Sequence, residues 1–100
     1  MPITVQIEDE RGTRQGAPWV NSDATRLLAG EHSGTCCLRF IDPYGNALFN
    51  QLQLPVLLAE LRALDAQVVQ PSLRMVLRSL VMFIEPAIDE LHTYVRFVGD

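Results

Sequence analysis

Apolar and polar residues alternate at the start of the chain, where Ile3, Val5 and Ile7 interleave with Thr4, Gln6 and Glu8. A period of two with β-branched residues on one side predicts a half-buried strand. Asp9 to Gly16 is polar and punctuated by glycine, the pattern of a turn or loop. The chain then either returns through Ala17–Val20 as a short second strand or crosses the sheet irregularly. Ser22, DATRLLA and Gly30 read as a helix of about two turns, with Ser22 as N-cap and Gly30 just past the end. Trp19 is expected to anchor the edge of the core.

The clearest patterning lies between Thr35 and Leu64. In TCCLRFI alternation puts Cys36, Leu38 and Phe40 on one face and Cys37, Arg39 and Ile41 on the other. Asp42-Pro43-Tyr44-Gly45 has turn chemistry, and Asn46 to Leu52 is expected to return as the second strand of a hairpin. Pro55 suits the first position of a helix. From there Leu57, Leu58, Leu61, Leu64 and Val68 fall on one stripe, with Glu60, Arg62 and Asp65 off it. Burying four such leucines is worth on the order of 6–12 kcal/mol, which an isolated helix of this length needs from a packing partner.

After Pro71, Ser72 is placed to cap a second helix whose core stripe is Leu73, Val76, Leu77, Leu80, Ile84 and Ile88. Met75, Val81, Met82 and Phe83 are left over, so this helix is apolar around more of its girdle than one sheet requires. Pro86 should break it near Glu85. TYVRFVG is the last strand, with Val95 and Phe97 toward the helices beside Leu38 and Phe40. Arg39, Tyr94 and Arg96 then share the opposite, open face. Together these elements predict an α+β fold: one domain over 1–100, an antiparallel or mixed sheet of about four strands, and two main helices packed on one face as a two-layer sandwich.

Composition fits a folded domain, with 48% hydrophobic and 20% charged residues, enough to build a core without metals or disulfides. All eight basic residues are arginine and the net charge is −4. The absence of lysine points to a GC-rich, bacterial coding sequence, since the arginines form no cluster. An acidic chain without a basic run does not favour nucleic acid as a partner. MPITVQIEDERG has neither the basic nor the apolar region of a signal peptide, and the longest apolar runs fall far short of a membrane span. A cytoplasmic location with no membrane partner is the expectation, consistent with two adjacent cysteines that make no disulfide framework.

Candidate chemistry is sparse. His32, Cys36, Cys37 and His92 are zinc-ligand types, and if the last strand ran parallel to the Cys36 strand, both histidines would meet at one sheet edge. Adjacent strand residues point to opposite faces, however, and no CxxC or HxxxH spacing occurs. Cys37 as a nucleophile would need the positive setting that Arg39 partly supplies, against the commoner fate of a buried, inert thiol. Glu85, Asp89 and His92 have acid–base character, but Pro86 interrupts their helical spacing. No phosphate loop, nucleophile elbow or dinucleotide fingerprint is present. The expectation is a non-enzymatic protein without cofactor or metal, acting through contacts with a protein partner or with itself as a homodimer. Met75, Met82 and Phe83 of the second helix and Arg39, Tyr94 and Arg96 of the open sheet face are the candidate contact residues. The alternative is an enzyme or metal-binding protein with its site near Cys37, His32 and His92.

Overall fold

The computed structural model describes residues 3–28, 32, 34–42 and 44–99. Four strands form one open sheet: β1 (Ile3–Asp9), β2 (Trp19–Asn21), β3 (Asn46–Phe49) and β4 (Thr93–Val98). The order is β2-β1-β4-β3, with every neighbour antiparallel. A short helix, α1 (Ala24–Leu28), and two long ones, α2 (Leu54–Gln67) and α3 (Pro71–Ile84), complete the α+β two-layer arrangement.

The alternation in β1 and β4 does what the sequence implies. Ile3, Val5, Val95 and Phe97 are buried under the helices with Ala47 and Phe49 of β3. Phe49 and Phe97 meet edge to face at 5.7 Å, the arrangement favoured by the ring quadrupoles. Leu54, Leu57, Leu58 and Leu61 of α2 and Leu77, Leu80, Val81 and Ile84 of α3 close the core from above. Trp19 sits at the border of this core, its indole N–H donating to Ser79 Oγ of α3 at 3.0 Å.

Helix boundaries follow the prolines. Leu54 precedes Pro55 in the first turn of α2. In α3 Pro71 itself is the first helical residue and Gln70 the flanking one, so Ser72 lies inside the helix rather than capping it. A proline at this position gives up only an N–H that the helix leaves unpaired. Pro86 ends α3 at Ile84, and the chain tightens into a 3-10 turn over Glu85–Asp89. Before α1, the acceptor is Asn21 Oδ1, which takes the Asp23 N–H at 2.8 Å, and the helix is a single short segment. The C-cap expected at Gly30 lies outside the described residues.

The expected hairpin between Thr35 and Leu52 does not form. Cys36 to Phe40 is no strand; Leu38–Phe40 is a 3-10 turn. The Asp42–Gly45 turn is present, with Gly45 N–H donating to Asp42 O and Tyr44 N–H to Asp42 Oδ1, although Pro43 lies outside the described residues. It leads into β3, whose partner is β4 instead of the Cys36 segment. Cys37, Leu38 and Ile41 are buried while Phe40 is exposed, a spacing of one helical turn and not of a strand.

One side chain ties the two ends of the sheet's helix layer. Gln51 Nε2 donates to Ile88 O at 2.9 Å and to Glu90 O at 2.7 Å, pinning the turn after β3 to the turn before β4. Gln51→Leu removes both bonds and leaves the carbonyls to water; a loss of about 1–2 kcal/mol in denaturant unfolding is expected.

Candidate functional site

The segment with the most candidate chemistry is held by a residue that its sequence position hides. Glu60 lies off the leucine stripe of α2, yet its carboxylate accepts the backbone N–H groups of Cys36 at 2.6 Å, Cys37 at 3.0 Å and Leu38 at 3.1 Å. These bonds take the place of a strand ladder and explain why the segment folds against α2. Partial burial pulls the Glu60 carboxyl upward, but the three N–H groups outweigh it, and with His32 nearby they hold it below its ordinary value.

Cys37 sits behind this clip at 3% exposure. Burial pushes its thiol up, and the Glu60 carboxylate and Cys36 push it further, the opposite of what a nucleophile needs. Cys36 is exposed. Titration with a chromogenic disulfide reagent should therefore find one fast thiol and one that reacts only on unfolding. Arg39 does not share a sheet face with Tyr94 and Arg96. It stands exposed within the 3-10 turn, its guanidinium 4.8 Å above the ring of Phe40, because the segment that carries it is not a strand.

The two histidines serve different parts of the molecule. His32 Nε2 lies 3.1 Å from Leu27 O. His92 is in the turn before β4, with φ +58°, and its Nδ1 is 3.3 Å from Glu10 Oε2. A sheet that is antiparallel throughout removes the parallel pairing that would have aligned them. Among the described residues no three His, Cys, Asp or Glu side chains gather as a metal-holding group.

A cleft of ≈ 570 Å³ lies between the β1 hairpin and the turn before β4, with Glu10, Arg11, Gln15 and His92 in its wall. Of its carboxylates, those of Asp9 and Glu10 are engaged. Asp9 accepts the N–H groups of Arg11 and Thr13 and the amide of Gln15, which builds the hairpin turn, and Glu10 pairs with His92.

The sheet face away from the helices is open. On it β1 sets Thr4, Gln6 and Glu8 beside Val98, Arg96 and Tyr94 of β4, and β3 adds Asn46 and Leu48. Glu8 is 4% exposed although it lies on this face, and Arg96 Nε donates to its Oε2 at 2.8 Å. A buried acid here was not visible in the sequence; the only sign was a charge at a polar-phase position in each of two strands. On the far side of the helices, Met75 and Met82 of α3 are 70% and 72% exposed. Val81 is buried and Phe83 half-buried against the core, so half of the surplus apolar surface of this helix is spent inside the chain. Beside Met82 a groove between α2 and α3 is rimmed by the Arg62–Glu85 and Arg78–Asp65 ion pairs.

No helix among the described residues is long and apolar enough to cross a membrane. Comparison of the chain with protein-family models, with curated proteins and with solved structures finds no match.

Proposed function

We propose that this chain is a small cytoplasmic contact protein without catalytic activity, one that acts by docking to another protein as an accessory, regulatory or toxin-neutralising subunit, or to itself. The observation that carries this reading is the α3 stripe of Met75 and Met82, two flexible apolar side chains one heptad apart and more than two-thirds exposed. Such side chains adapt readily to a partner surface. The open sheet face with Tyr94 and Arg96 is the second contact region. Arg39 stands on a separate patch with Phe40, and Phe83 is half-buried against the core.

A reaction centre around Cys37, His32 and His92 gains no support from a thiol held high by burial and histidines engaged in separate regions. The contact reading is tested in living cells with a photoreactive residue placed at Met82 or, separately, at Tyr94. A discrete adduct of defined mass from either position is expected. No adduct from both would sink the reading.

A further inference from the structure

The two free edges of the sheet are built differently. The β2 edge is guarded. Pro18 precedes it, β2 is only three residues long, and the outer chain bulges between its pairing of Arg14 with Glu8 and that of Val20 with Thr4. Charged residues Glu8, Asp9, Glu10, Arg11 and Arg14 crowd its hairpin. These are the devices by which proteins keep an edge from pairing.

The β3 edge, itself only four residues long, carries neither the charge, the proline nor the bulge. No charged residue occurs between Asp42 and Glu60, and Asn46–Phe49 contains no proline. Among the described residues, five of the ten exposed large apolar side chains, Phe40, Tyr44, Leu48, Leu52 and Val56, fall in or beside this stretch. The backbone is also unspent. Gly99 N–H donates to Gly45 O at 2.7 Å, and β3 pairs with β4 as Asn46↔Val98, Ala47↔Phe97, Leu48↔Arg96 and Phe49↔Val95. Antiparallel ladders alternate, so Ala47 and Phe49 bond toward β4 while Asn46 and Leu48 turn their N–H and C=O groups outward. Among the described residues these four groups have no partner in the chain.

We infer that β3 pairs with β3 of a second copy, antiparallel about a two-fold axis at Ala47, joining two sheets into one of eight strands. This rests on reading the chain as a contact protein and names its partner at a surface separate from α3. In this register Asn46 of each copy faces Leu48 of the other, so the four outward groups of one edge meet the four of its twin. The two Leu48 side chains, each 47% exposed in one copy, become diagonal neighbours on the open face. Continued outward, the same register brings Tyr44 of one copy opposite Asn50 of the other, lengthening the seam toward the ~800 Å² per partner of a standard interface. A chain of net charge −4 opposes self-association through most of its surface; through this uncharged stretch it does not.

Sedimentation and light scattering of the full chain, with amide exchange at several concentrations, test the inference. A species of twice 11.2 kDa at tens of micromolar is expected, and the Asn46 and Leu48 amides should slow as concentration rises. Leu48→Lys sets two like charges across the seam and should weaken the dimer at least about tenfold. Asn46→Pro removes one outward N–H, costs the monomer no ladder bond, and should act in the same direction. Val20→Lys, on the guarded edge, should change nothing. A monomer at several hundred micromolar overturns the inference, as does a dimer that survives both β3 variants. So does a dimer lost only on Met82→Lys, which would move self-contact to α3 and leave the contact reading standing.

Discussion

Arg96→Ala is expected to lower stability by about 3 kcal/mol, because it strands the Glu8 carboxylate at a nearly buried site. The pair spans β1 and β4 at 2.8 Å, with the Glu8 side chain 6% and the Arg96 side chain 31% exposed. The partial exposure of Arg96 places the loss at the lower end of what broken buried pairs cost. Glu8→Leu combined with Arg96→Leu should recover most of it, since an apolar pair of similar size carries no desolvation penalty. Urea unfolding of the single and double variants makes this comparison directly; equal losses in both would mean that the effect is packing alone.

Glu60→Ala should cost about 2–3 kcal/mol, because three backbone donors lose a charged acceptor at once. The effect is local before it is global. Amides of Cys36, Cys37 and Leu38 should exchange faster in the variant, and Cys37 should become reactive under native conditions. The contribution also depends on pH. The Glu60 carboxyl is held below its ordinary value in the folded chain, so on the acid side the unfolded chain binds more protons than the folded one. Its stabilisation is complete above the unfolded pKa and is lost as pH falls through the lower, folded one. The stability gap between the wild type and Glu60→Gln should therefore narrow below about pH 4.3. A gap that stays constant through that range would show that the charge is not what the backbone groups recognise.

The layout of the long helices and of the two central strands was legible because each signal was local. Period-two alternation placed β1 and β4, the leucine stripe placed α2, and Pro86 ended α3 within a residue of where its ring forbids a helix. The Cys36–Phe40 segment misled for a physical reason. TCCLRFI alternates well enough to be a strand, and nothing in it records that a carboxylate more than twenty residues later will satisfy its N–H groups. Glu60 in turn looked solvent-facing because it lies off the leucine stripe, as Arg62 and Asp65 do. The surplus apolar surface on α3 was half legible: Met75 and Met82 stand free, whereas Val81 and Phe83 find cover from elements whose placement is tertiary. The bare edge at β3 was hidden by the mistaken hairpin, which gave that strand the wrong neighbour, although its uncharged run was in plain view.

The middle of the sheet is formed by the first and last strands, with Glu8 and Arg96 joined across almost the whole length of sequence. A nascent polypeptide emerging from the ribosome thus has nothing to insert between β1 and β3 until β4 has cleared the exit tunnel. Folding of the sheet is held back until β4 has emerged, slow in the manner of topologies with distant pairings. During that interval the uncharged run from 43 to 59 is unprotected, so chaperone demand should track translation and not the stability of the finished molecule.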